Sequence, residues 1–257
     1  MNGYMKSDTT KTLPTLPVDS NRILAYRERC QKPRHMEEIW SWFVLRRISI
    51  YITLLLSRTP LTPNGISWLS LLFFTLTGWL LLTGEPWGWL LAVVSYNLGY
   101  LCDCMDGELA RIKGVTSQRG VFLDTLIRAL SIPVWSAAAW MVPHAFGWME
   151  WGLGVATWAY VMILVATLAL LVPLSYNYVH VKTDENDPVS AMRTQSNKME
   201  WIAFLTGMPG YFAFLPAVTI VEMWLEWPLV AAFTAAFLVV LALKTLLRLY
   251  LTTSKLS

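Results

Sequence analysis

Six apolar stretches, at about 65–83, 87–111, 119–142, 150–175, 200–222 and 228–250, limit what this chain can fold into. Each can cross a hydrocarbon core of about 30 Å as a helix. In lipid the backbone must satisfy its own N–H and C=O groups, so a spanning segment of this kind is helical. The expectation is an all-α integral membrane protein with six transmembrane helices across residues 59–251. The balance of 55% hydrophobic against 14% charged residues in 257 is that of a membrane chain. The linkers at 83–87, 142–150 and 222–228 hold no Lys or Arg, whereas those at 112–119 and 176–199, with the termini, hold Lys113, Arg119, Lys182, Arg193, Lys198 and Lys255. That asymmetry places both termini and the 112–119 loop in the cytoplasm. Trp87, Trp89, Trp148, Trp151, Trp224 and Trp227 gather at the opposite ends, as an outer aromatic belt would.

Residues 1–36 are polar, with Pro14, Pro17 and Pro33, and are expected to form a mobile cytosolic arm. Within it, Asn21 to Arg29 suits a short basic helix on the membrane surface. No apolar core precedes residue 39, so a cleavable signal peptide is not expected. Residues 37–58 mix Trp40, Trp42, Phe43, Ile48 and Ile50 with Glu37, Glu38, Arg46 and Arg47. Adjacent mid-segment arginines cost about 2.5–3.5 kcal/mol each at a bilayer centre. An interfacial amphipathic helix, with Arg46 and Arg47 towards the headgroups, suits the pattern better than a span. Residues 252–257 form a cytosolic tail. Cys30, Cys102 and Cys104 fit neither a disulfide framework nor a zinc spacing and read as reduced apolar fillers.

Between two of the apolar stretches lies a polar knot, Asp103-Cys-Met-Asp106-Gly107-Glu-Leu-Ala110-Arg111. At about 100° per residue, Asp103 and Asp106 fall about 60° apart on a helix. Gly107 and Ala110 share that arc, Arg111 borders it, and Glu108 points well away. On the following helix Gly120, Asp124 and Arg128 succeed one another at one-turn spacing. Three carboxylates from neighbouring helices suit a hard divalent cation, Mg²⁺ or Mn²⁺. Such a cation can hold a diphosphate, while Gly and Ala permit a ring or phosphate to approach closely. An ordinary salt-bridged helix end explains single charges here, but poorly explains a five-residue face with Gly and Ala interleaved.

Asp103-x-x-Asp106-Gly107-x-x-Ala110-Arg111, eight residues, then Gly120-x-x-x-Asp124 resembles the signature of the CDP-alcohol phosphotransferases. These membrane enzymes move a phospho-alcohol from a CDP-linked donor to an acceptor hydroxyl and release CMP. The resemblance covers residues 59–128 in motif and 40–250 in span pattern. It implies that Asp103, Asp106 and Asp124 hold Mg²⁺ or Mn²⁺, that Gly107, Ala110 and Gly120 border cytidine, and that Arg111 meets the diphosphate. Thr62-Pro63-Asn64-Gly65-Ile66-Ser67 is similar to the family's Pro-Asn-x-x-Thr element near the donor diphosphate, with Ser67 standing for Thr. It equally reads as a helix start, with Thr62 as cap and Pro63 in the first turn. The implied partners are a CDP-linked donor, a lipid, polyol or lipid-phosphate acceptor, membrane lipids and a second copy of the chain, with no nucleic acid. The implied location is a bacterial or archaeal cytoplasmic membrane with the site facing the cytoplasm.

The signature normally ends with a fourth Asp, to which the roles of general base and second-metal ligand are given. Arg128 stands there, and a guanidinium accepts no proton. Three outcomes remain open. Asp124, His180 or metal-bound hydroxide serves an alcohol acceptor as base. An already ionised phosphate acceptor needs no base and is oriented by Arg128. Or the chain is a non-catalytic nucleotide-binding or structural membrane subunit. A transporter is disfavoured because the carboxylates gather at helix ends rather than at the bilayer midplane. Asp184, Glu185 and Asp187 read as a solvated linker, Arg193 and Lys198 as headgroup-facing cations, and Lys244 and Arg248 as snorkelling at the end of the last span.

Overall fold

The computed structural model describes residues 13–147, 153–179 and 196–256. His180, Asp184, Glu185, Asp187, Arg193, Trp148 and Trp151 lie outside the described residues. Within those described there are helices and no strand. The helices are α1 (Asn21–Cys30), α2 (Arg46–Leu56), α3 (Pro63–Leu81), α4 (Pro86–Lys113), α5 (Gln118–Ala129), α6 (Ser131–Ala145), α7 (Leu153–Val179), α8 (Asn197–Leu205), α9 (Met208–Leu225) and α10 (Leu229–Leu256). Five helical segments are long and apolar enough to cross a membrane: Pro63–Leu81, Gln118–Ala145, Gly154–Val179, Met208–Leu225 and Leu229–Lys255. The expected span at 87–111 is α4, whose apolar run is diluted by Tyr96, Asn97, Tyr100 and the motif carboxylates. Asn97 and Tyr100 have partners on the N-terminal segment. Trp40 Nε1 donates to Asn97 Oδ1 at 2.8 Å, and Tyr100 Oη to Glu38 Oε2 at 3.1 Å.

Helix boundaries follow local chemistry. Thr62 caps α3, its hydroxyl accepting from the Gly65 N–H at 3.1 Å, with Pro63 in the first turn. Ser117 caps α5 through the Gly120 N–H at 3.1 Å. Gly114, at φ +67°, closes α4 in a left-handed conformation that a side chain would strain. The expected third span breaks between α5 and α6 at Leu130. Pro133 can neither donate to the carbonyl four residues back nor fit beside it. Asp124 and Arg128 lie on α5, before that break.

Packing centres on α3 and α4. Ser70 Oγ donates to the Gly99 carbonyl at 2.8 Å and Ser95 Oγ to the Phe73 carbonyl at 2.7 Å. A methyl group on Gly99 would stand 3.2 Å from Phe74. Small residues thus let the backbones approach, as they do where helices meet in lipid. Behind them Tyr96 stacks on Phe212 at 4.1 Å between ring centres, and Tyr211 Oη meets Thr234 Oγ1 at 3.0 Å. Trp68, Leu72, Leu91, Ile163, Ile220 and Leu243 face outward. Trp87, Trp224 and Trp227 are exposed, but Trp89 is buried among α3, α4 and α6 side chains and cannot belong to an outer belt.

The N-terminal region departs most from expectation. The helix begun near Glu38 runs through a π-turn at Ser41–Leu45 into α2. Arg46 does not face outward. It is 5% exposed and paired with Glu37 at 2.9 Å and Glu108 at 3.0 Å. Arg46, Ser49 and Thr53 face inward, while Phe43, Ile48 and Leu55 are exposed. The polar face turns in because buried Glu108 needs donors there.

The segment expected as a mobile arm carries a docked helix. Arg27 is fully buried, donating to Asp19 at 2.9 Å and to the carbonyls of Arg46 and Arg47 at 2.8 and 3.0 Å. Burial alone would raise the Asp19 carboxyl. Hydrogen bonds from Arg27, Tyr51 and the Leu16 N–H outweigh it and hold the carboxyl below its ordinary value. A depressed carboxylate stabilises the folded state above its unfolded pKa, and that contribution is lost as pH falls. Docking of α1 is therefore expected to persist from pH 8 to 5 and to loosen only below about pH 4. Hydrogen exchange at residues 16–30 reads this, and release between pH 7 and 5 would contradict it.

Candidate functional site

Arg46, Asp103, Asp106, Gly107, Ala110 and Arg111 line a cavity of about 870 Å³. Asn64 and Ser67 from the start of α3, with Gly120, Asp124 and Arg128 from α5, line the same cavity. Every residue picked out by the motif spacing therefore faces one space. Ser67 Oγ donates to Asp106 Oδ2 at 2.5 Å, so the first turn of α3 aims a hydroxyl at the second carboxylate of α4. A methyl group on Gly120 would stand 3.8 Å from Asn64 Oδ1, in ordinary contact. Added to Gly107 it would press on Arg111 Nη2 at 3.2 Å, so the missing side chain makes room for the guanidinium.

Arg128 pairs with Asp124 at 2.9 Å one helical turn away. Both side chains are open to the cavity, at 61% and 45% exposure, which leaves the guanidinium within reach of a ligand. Arg111 Nε donates to the Cys30 carbonyl at the end of α1, while its buried Nη2 has no hydrogen-bond partner.

A second cavity of about 440 Å³ shares Glu37, Glu38, Tyr100, Asp103, Ile127, Arg128, Ser131, Leu170 and Arg248 with the first. Its apolar lining includes Phe74, Tyr96, Trp135, Leu170 and Met208, and its polar lining Glu37, Glu38, Glu200, Thr206, Lys244 and Arg248. Lys244 donates to Thr206 Oγ1 at 3.2 Å. Lys244 and Arg248, expected to snorkel, thus line a cavity that opens onto the carboxylates. Lys198 is exposed on α8 and lines neither cavity.

Among the described residues no group of three or more His, Cys, Asp or Glu side chains is drawn together tightly enough to form a metal cluster as it stands. The donor set nevertheless suits a hard cation, since the three carboxylates present only oxygen and face one cavity. Sequence reasoning missed Arg46, Gln31 and Glu108. Arg46 lines the cavity and donates to the Cys104 carbonyl at 2.9 Å, behind the Asp pair. The available signal was a charge pattern, two arginines and two glutamates, in an otherwise apolar segment.

The fold and cavity define an integral membrane protein in which carboxylates and guanidinium groups share one polar chamber among apolar helices. A family model for CDP-alcohol phosphatidyltransferase matches residues 60–233, and the chain belongs to that family. The family is one of transferases that use CDP-alcohol donors and alcohol acceptors and are generally dependent on divalent metal. The comparison with curated proteins found no match.

Proposed function

We propose that the protein moves a substituted phosphate group from a CDP-linked donor to an acceptor oxygen and releases CMP, in lipid or glycan-lipid synthesis. The observation that carries this reading is the convergence of Asp103, Asp106, Gly107, Ala110, Arg111, Gly120 and Asp124 on one cavity. The acceptor oxygen attacks the donor's distal phosphorus, the bond to the bridging oxygen breaks, and CMP leaves with that oxygen. Asp103, Asp106 and Asp124 would hold Mg²⁺ or Mn²⁺, which when bound offsets diphosphate charge. Gly107, Ala110 and Gly120 leave room for cytidine. Asn64, Ser67 and Arg111 orient the diphosphate. The 28-residue α4 is the sixth crossing, with α2 at the interface and the cavity open to the cytoplasm. The working unit is a homodimer.

Arg128 decides the acceptor. Arg128, Lys244 and Arg248 line the second cavity together with Glu37, Glu38, Asp103 and Glu200, and the three cations support an acceptor carrying its own phosphate. Such an acceptor is ionised, needs no base and gains from a bidentate guanidinium. With an alcohol acceptor, Asp124 would serve as base. The test starts with calorimetric titration of CDP and CMP into purified protein with Mn²⁺. CMP release is then followed with CDP-diacylglycerol and CDP-polyol donors over alcohol and phosphomonoester acceptors. Arg128→Asp is expected to lower the native reaction by more than about tenfold, as loss of a charge pair to substrate does. A gain of ordinary alcohol acceptance instead would mark a lapsed enzyme. Stable wild-type protein that binds no CDP would favour a non-catalytic subunit.

A further inference from the structure

Glu108 lies inside the motif, yet its side chain points away from the cavity. It is fully buried. Gln31 Nε2, Arg46 Nη1 and Ser49 Oγ donate to its Oε1 at 2.9, 3.0 and 2.7 Å, and Thr53 Oγ1 to its Oε2 at 2.9 Å. Four donors from two other segments converge on one carboxylate. A buried charge so fully satisfied fixes the elements that supply the donors.

One of those contacts leads back to the site. Gln31 follows Cys30, whose carbonyl accepts from Arg111 Nε. Glu108 and Arg111, three residues apart on α4, therefore grip adjacent residues at the end of α1. Gln31 Nε2 also donates to the Arg46 carbonyl at 2.8 Å, and Arg27 Nη1 reaches the same oxygen at 2.8 Å. The far end of the grip is thus anchored. Held by Nε, Arg111 lies along Gly107 with Nη2 buried and unpaired at the cavity wall.

We infer that Glu108 is a positioning residue for Arg111: with Gln31 it clamps the end of α1 so that the Cys30 carbonyl holds the guanidinium towards the donor diphosphate. This rests on the donor reading given above. A carbonyl on a docked helix is a fixed acceptor, so the guanidinium is oriented before ligand arrives and loses less freedom on binding. Undocking α1 frees Arg111 and weakens the donor site from outside the membrane domain.

The test is a double-mutant cycle with CDP and Mn²⁺ as the probe, read by calorimetry on the full chain. Glu108→Ala is expected to weaken CDP binding by about tenfold or more, and Gln31→Ala, a milder change outside α4, by about threefold to tenfold. In an Arg111→Gln background each is expected to change affinity by less than about twofold, because both act through Arg111. A merely structural role would instead add in full in that background, which would overturn the inference. Maleimide labelling of Cys30, mapped by mass spectrometry, runs beside it. Cys30 is fully buried, and burial pushes its thiol up to about 12, so docked α1 leaves it unreactive. Fast labelling in both variants with CDP affinity within twofold of wild type would show an undocked helix that does not matter to the donor, and would also overturn the inference. If wild type binds no CDP, the donor reading falls. Labelling in Glu108→Ala then still reports, separately, whether the clamp holds α1.

Discussion

Asp106→Asn is expected to abolish metal-dependent binding of CDP and to lower CMP release by on the order of 10²-fold or more, the loss typical of removing one group that stabilises developing charge. The substitution keeps the shape of the side chain and an oxygen to accept from Ser67, now 2.5 Å from the carboxylate. What it removes is the negative charge and one hard donor. Asp106 is not part of the ionic network behind α4, so the unfolding midpoint is expected to stay close to that of wild type. Asp103→Asn should behave alike. A variant with full CMP release would show that the cavity is not the site of transfer, however well the motif lines it.

The parts of this site that could be read from the sequence share one property: they lie on one helix, or on helices close in the chain, at helical spacing. Asp103, Asp106, Gly107 and Ala110 fall on one arc by periodicity alone. Gly120 and Asp124 lie one turn apart on one face of the following helix. Asn64 and Ser67 enter through the resemblance to a Pro-Asn-x-x-Thr element, at a helix start that Thr62 and Pro63 mark. The parts that escaped are held by contacts with no local pattern. Gln31 and Glu108 are 77 residues apart, and Arg46 and Glu108 are 62 apart. Nothing in the spacing of residues 37–58 says which face of that helix turns inward. Headgroups offer arginines one partner and a buried glutamate offers another, and only the fold brings the glutamate there. Trp89 shows the same limit on the apolar side. Its place near a helix end suits a belt, but its direction on α4 points it into the core. A terminal cation usually reaches the membrane surface, as expected of Lys244 and Arg248, whereas the direction of α10 turns them to a cavity.

Arg46→Met is the substitution expected to cost the fold most. Arg46 pairs with Glu37 at 2.9 Å and Glu108 at 3.0 Å, and caps the Cys104 carbonyl at 2.9 Å. Both carboxylates are nearly inaccessible, at 7% and 0% side-chain exposure. Removing the cation leaves two buried anions with hydroxyl and amide donors but no counter-charge. Breaking a buried pair in this way costs about 3–5 kcal/mol. That is a large part of the 5–15 kcal/mol that holds a typical domain. Methionine fills much of the space, so the loss reports charge rather than a cavity. Thermal unfolding in detergent measures it. The companion variant, Arg46→Met with Glu37→Gln and Glu108→Gln, removes the stranded charges and is expected to recover most of the midpoint. Gln at 108 can still accept from Gln31 and Ser49. A single variant within about 1 kcal/mol of wild type would mean that the carboxylates take up protons or water without penalty, since surface pairs are worth that little. The triple variant also separates two duties of the network. If it unfolds like wild type and leaves Cys30 unlabelled but binds CDP weakly, then the charge beside the Asp pair, and not the docking of α1 or the rigidity of the helix, is what the network supplies to the site.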